Sequence, residues 1–200
     1  RNPRSTVGTS TEIYEYLRLL FARIGKTYSP VSGQLVKKDS PEDIVHCMLS
    51  YPKGTRYTVL TPILPREGRT VAEQIDMDMK QGFTRLEVNG EMIRIEEYTY
   101  QPDDQIYLLV DRMSCDDTKD AVSRLTDSAE TAMYEGDGAC LLRFYLPDGR
   151  TQLHRFSTKF EADGIKFEEP SDQMFSFNSP IGACPTCEGF GKMICIDEHL

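Results

Sequence analysis

Two hundred residues, 39% of them apolar, are enough for a sizeable core in one or two domains, and the formal net charge is −9. No apolar run approaches the roughly 18–20 residues that cross a bilayer and no leader pattern opens the chain, so the expected setting is the cytoplasm, with no membrane partner. The acidic average argues against non-specific binding of nucleic acid by the whole chain, yet residues 1–38 carry seven basic against two acidic side chains, a local +5, and leave −14 on the rest.

In chain order, residues 1–8 have no period and contain Pro3, so they read as an extended entry. The missing initiator methionine is what a piece of a longer polypeptide would show. Thr9 to Glu12 matches a capping box, and Ile13, Tyr16, Leu17, Leu20, Phe21 and Ile24 recur at helical spacing up to Gly25. Arg18 and Arg23 lie off that stripe, either as contacts to phosphate or carboxylate or as a solvated helix face. Residues 28–39 are polar and irregular, and a domain boundary is expected there.

Ser40 and Pro41 then open a second helix through Leu49. Arg56 to Ile63 is β-branched and reads as a strand, and Val71, Ile75 and Met79 mark a third helix closed by Gly82. Phe83 to Val88 alternates, Asn89-Gly90 is the dipeptide that a type I′ hairpin turn prefers, and Met92 to Ile95 returns. Gln105 to Met113 is a further strand, in which Leu108, Val110 and Arg112 share one parity. A fourth helix capped by Asp117 or Thr118 buries Val122, Leu125, Ala129, Ala132 and Met133, and ends at Gly136-Asp137-Gly138. The strands 139–145 and 151–156 then flank Pro147 to Arg150. The expected fold class is α+β, a mixed helix and antiparallel-sheet insert. It is flanked by a helical segment on one side and a cysteine-containing loop on the other.

The body offers no obvious catalytic motif: it has no glycine-rich phosphate loop and no Gly-x-Ser-x-Gly, and His46, His154 and His199 are far apart in sequence. A binding module is the better class. Arg85 and Arg112 are its natural anchors, because guanidinium forks pair bidentately with carboxylates; salt bridging within the chain is the competing reading. Cys47, Cys115 and Cys140 read as buried free thiols. Cys184-Pro-Thr-Cys187 has the spacing of half a structural zinc knuckle, and Cys195 and His199 continue it as C-x2-C-x7-C-x3-H. Lys192 to Ile194, however, reads as a strand, and the metal-free loop is the expectation. Thiol redox at Cys184 and Cys187 would need a depressed thiolate pKa, which Glu188 opposes.

Two stretches carry a resemblance. Arg1-Asn-Pro-Arg-Ser-Thr-Val-Gly-Thr9 leading through Thr11-Glu-Ile13 into Tyr16-Leu-Arg-Leu-Leu-Phe-Ala-Arg23, together with Phe175-Ser-Phe-Asn-Ser-Pro180 and Gly182-Ala-Cys-Pro-Thr-Cys187, resembles UvrA, the damage-sensing ATPase family of bacterial nucleotide excision repair. By that resemblance, residues 1–38 are the basic entry and the helix of the first ATPase signature subdomain. Residues 39–153 are the UvrB-interaction domain, and residues 154–200 are a return segment with a degenerate zinc module. The resemblance further implies UvrB as partner, with Arg85 and Arg112 contacting it. It also implies a homodimer that uses ATP and Mg²⁺ and meets damaged DNA through the full-length protein.

In that family a second Cys-x-x-Cys lies shortly after the Phe-Ser segment, where this chain reads Phe156-Ser-Thr-Lys-Phe-Glu-Ala-Asp-Gly-Ile-Lys166 without a thiol. Zinc is therefore doubtful here. No Gly-x-x-x-x-Gly-Lys-[Ser/Thr] loop occurs in the 200 residues, so no catalysis is expected of this piece. The rival is a direct DNA-binding module, with residues 1–38 on phosphates and the cysteine loop as a zinc ribbon.

Overall fold

The computed structural model describes residues 11–66 and 68–188, which divide into a central unit, Lys38–Lys159, and a unit formed by the flanking segments. The flanking unit opens with α1 (Ile13–Ile24). Its N-cap is Glu12, with no side-chain cap hydrogen bond, so the expected capping box is not what starts this helix; Thr9 and Ser10 lie outside the described residues. The expected apolar stripe forms but stays open: no residue of α1 is buried, and Tyr16 and Ile24 are about two-thirds exposed.

What α1 does meet is the Phe175–Phe177 segment. The Tyr14 and Phe177 rings lie 5.5 Å apart, those of Phe21 and Phe175 5.8 Å, and Tyr14 Oη donates to the Phe175 carbonyl at 2.9 Å. Two stretches 160 residues apart in sequence, the same two that carry the resemblance, therefore pack together. The polar linker expected to be irregular instead forms a small hairpin, β1 (Thr27–Tyr28) with β2 (Leu35–Val36). Asp163 ties its turn by accepting from Ser29 and Ser32.

The central unit runs α2 (Pro41–Leu49), β3 (Arg56–Pro62), α3 (Val71–Lys80), β4 (Arg85–Val88), β5 (Glu91–Arg94), β6 (Ile106–Ser114), α4 (Lys119–Glu135), β7 (Ala139–Tyr145) and β8 (Thr151–Ser157). Local chemistry accounts for the ends. Ser40 with Asp43 and Thr70 with Glu73 form reciprocal capping boxes, and Thr118 caps α4. Asn89 and Gly90 both take positive φ, as a two-residue type I′ turn requires. Gly136 has no room for a side chain: an added Cβ would sit 1.8 Å from Thr61 Oγ1, which itself donates to the carbonyls of Ala132 and Ala139.

The six strands make one antiparallel sheet in the order β5-β4-β6-β3-β7-β8. All three helices of the unit cover one face. Ile44 and Met48 of α2 and Leu125, Ala129 and Ala132 of α4 pack on Tyr57, Val59, Cys140, Leu142 and Phe144. Ile75 of α3 packs on Leu86, Val88 and Leu108. Cys47, Cys115 and Cys140 are free thiols, and burial pushes all three up, Cys115 to about 11 and Cys140 to about 12.

A bulge corrects the expected parity of β6. Val59 pairs with Asp111 while Leu60 pairs with Leu109, so Val110 is an extra residue. Alternation restarts behind it: Asp111 faces the helices and bonds Arg124 of α4, and Arg112 turns to the opposite face from Leu108.

Candidate functional site

The second face of the sheet is where the arginines collect. Strand alternation and the pairing register put Arg94 and Met92 of β5, Arg85 and Glu87 of β4, and Tyr107, Leu109 and Arg112 of β6 on this side. Arg56, Thr58 and Leu60 of β3, Leu141, Arg143 and Tyr145 of β7, and Leu153 and Arg155 of β8 join them. Its apolar layer is thin: Leu60, Tyr107, Leu109 and Leu141, flanked by Met92 and Leu153, all from strands.

The six arginines divide into two kinds. Arg143 is structural: its Nε and Nη2 reach the Glu87 carboxylate at 2.9 and 2.6 Å, and Glu87 is fully buried. A buried carboxylate is tolerable only when paired in this way, so the pair pins β4 to β7 across two intervening strands. Arg155 donates to Tyr107 Oη at 2.9 Å and lies over that ring. Arg56, Arg85, Arg94 and Arg112 are different. Among the described residues their guanidinium groups have no ion pair and no hydrogen bond; Arg85 is half-buried and the other three are exposed. Arg85 and Arg112 do not bridge to this chain's own described carboxylates, and they stand on one face of adjacent strands.

On the helix side, Asp111 shows the contrast. Burial alone would raise its carboxyl, but donors from Arg124, the Arg112 N–H and Ser128 outweigh it and hold the pKa below the usual range. Asp78 of α3 is buried and, among the described residues, only Gln74 donates to it, at 2.7 Å, so burial wins and its pKa is raised.

The remaining candidates are dispersed. Arg18 pairs with Glu15 at 2.7 Å and lies 3.8 Å from Asp172, so it is neither a solvated face nor a free anion contact; Arg23 sits in the last turn of α1. His46 is exposed on α2, and His154 sits 2.7 Å from Tyr51 Oη, which stacks on Phe144. Cys184 is exposed and Cys187 half-buried, while Cys195 and His199 lie outside the described residues. The backbone N–H groups of Cys187 and Thr186 aim at Cys184 and lower its pKa, the reverse of the Glu188 effect expected from sequence. The described residues hold no group of three or more metal-ligating side chains. No helix among the described residues is long and apolar enough to cross a membrane.

Sequence reasoning missed Arg56, Arg94, Thr58 and the Glu87–Arg143 pair. The signal was present in the strands. Arg56 precedes Tyr57, Arg85 precedes Leu86, Arg94 precedes Ile95 and Arg143 precedes Phe144, so each arginine stands next to a core residue.

The helix-backed antiparallel sheet thus presents on its open face four cations with no partner among the described residues. Residues 39–145 match the model of the UvrA interaction domain, and the chain belongs to the UvrA family. It is 41% identical over 208 residues to UvrABC system protein A of Streptomyces coelicolor, 39% over 212 residues to that of Rickettsia typhi and 38% over 208 residues to that of Mycobacterium tuberculosis. Each match covers the whole of this chain but only 20–22% of the relative, so the chain spans about a fifth of the length of these curated relatives.

Proposed function

We propose that the chain is part of a UvrA-type damage-recognition ATPase of bacterial nucleotide excision repair, and that its helix-backed insert is the handle by which UvrB is held. In this reading, residues 39–153 dock UvrB. Residues 1–38 belong to the first ATPase signature subdomain and 154–200 form the return segment. ATP, Mg²⁺, damaged DNA and a second protomer engage the rest of a longer cytoplasmic polypeptide. The observation that carries the proposal is Arg85 and Arg112 standing on one sheet face with no partner among the described residues. Unpaired guanidiniums on a body of net negative charge call for carboxylates from elsewhere, which pair with them bidentately and suppress wrong partners.

Titration of the protein with UvrB and, separately, with duplex DNA at rising salt tests this reading. A saturable complex between the insert and UvrB is expected. Contacts made instead to DNA phosphates would weaken steeply with salt. Failure of UvrB to bind, with salt-sensitive DNA affinity residing in residues 39–153, would replace the proposal by a nucleic-acid module.

A further inference from the structure

Arg85 and Arg112 are not isolated on their face, and the other two unpaired arginines are arranged around them. Arg94 is the direct cross-strand partner of Arg85. The next rung beyond them is the Ile95 N–H to Thr84 carbonyl bond at 3.1 Å, which makes Arg85–Arg94 a non-hydrogen-bonded pair, where side chains stand closest. Like charges directly opposite one another destabilise a sheet. Arg56 and Arg112 are diagonal neighbours on β3 and β6, since Arg56 pairs with Ser114. The four cations thus form two doublets, and neither doublet has a described carboxylate to relieve it.

The second doublet stands over a groove. Arg56, Thr58, Met92, Arg112 and Tyr145 line an open depression of about 670 Å³ at this end of the sheet, which also reaches round to Tyr57, Met113 and Arg124 of the helix side. On its floor Thr58 is 3% exposed, and its hydroxyl is buried with no hydrogen-bond partner among the described residues. A buried hydroxyl without a partner costs stability, and the fold does not require one here, since valine would fill the same strand position. A hydroxyl donor cross-strand from Arg112 and two residues along β3 from Arg56 completes a donor set that suits a carboxylate, and Met92 and Tyr145 offer apolar wall for its methylenes.

We infer that this groove receives an acidic side chain of the partner, an Asp or Glu held by Arg56, Arg112 and the Thr58 hydroxyl, while the Arg85–Arg94 doublet holds a second carboxylate. This rests on the docking reading above and extends it to Thr58, Arg56 and Arg94. A protein carboxylate is favoured over a DNA phosphate because the body that carries the doublets is itself strongly acidic and would repel an extended polyanion.

The test uses the full-length protein titrated with UvrB, with duplex DNA in parallel. T58V, R56E and R94E are each compared with wild type and with R85E/R112E, and each variant is melted. Thr58→Val is expected to melt no lower than wild type, because it removes an unsatisfied polar group, yet to bind UvrB several-fold more weakly. Arg56→Glu and Arg94→Glu are expected to weaken binding by roughly tenfold each, chiefly through association at low salt. If R85E/R112E abolishes binding while T58V, R56E and R94E all bind as wild type, the groove is not a carboxylate seat and the docking reading survives. If R85E/R112E itself binds normally, the docking reading fails. Loss of DNA affinity rather than UvrB affinity in the three single variants would assign the face to nucleic acid and overturn the inference.

Discussion

The two faces of the six-stranded sheet are made by the same strands, and their contents have opposite causes. The helix-backed face is filled by Tyr57, Val59, Leu86, Leu108, Leu142 and Phe144, which the fold needs in order to exist. The open face carries a thin apolar layer and six arginines, of which the fold uses Arg143 and Arg155 and leaves four without partners among the described residues. A residue on the first face is explained by what it touches in this chain. Arg56, Arg85, Arg94 and Arg112 touch no carboxylate among the described residues.

The comparison can be broken by substitutions that separate stability from binding. The largest loss belongs to the helix-backed face: Phe144→Ala, which removes a fully buried ring stacked on Tyr51, should cost about 4 kcal/mol in a denaturant titration. On the open face Arg143→Ala should cost about 3 kcal/mol, because Glu87 is left buried and unpaired, and the double change to Glu87→Leu and Arg143→Met should recover most of it. That recovery would mark the pair as structural rather than as a docking contact.

Smaller effects sharpen the picture on the helix side. Asp111→Asn gives up the fork to Arg124 and should cost about 1–2 kcal/mol at pH 7. Because the Asp111 pKa is lowered in the folded state, that contribution is present above the unfolded value near pH 4 and is lost as the pH falls through the depressed one. Melting curves of D111N and wild type should therefore converge in acid. Asp78→Asn should have the opposite sign, raising the melting temperature at pH 7. The folded state disfavours the ionised carboxyl of Asp78, a cost that vanishes once the unfolded chain is also protonated, below about pH 4.

Much of this was legible in the sequence because local chemistry decided it. Asn89-Gly90 dictates its turn, Ser40-Pro41 starts α2, and the Val122 to Met133 spacing gives the buried side of α4. What failed depended on long-range pairing. A single extra residue at Val110, which only the register with β3 reveals, turns Arg112 to the face of Arg85 and undoes the parity read from β6 alone. Likewise, the stripe on α1 has helical spacing without burial, since periodicity reports amphipathicity and not the partner. The arginine face was half visible: its alternation was in the strands, but which strands are neighbours was not.

A titration of R85E/R112E against UvrB, with the melting temperature of the same sample, separates an open face that serves UvrB from one that serves the fold. Binding is expected to fall by roughly a few kcal/mol while the melt does not fall, because each reversal also places a carboxylate beside Arg94 or Arg56. Wild-type affinity for UvrB in the reversed protein would contradict the docking reading.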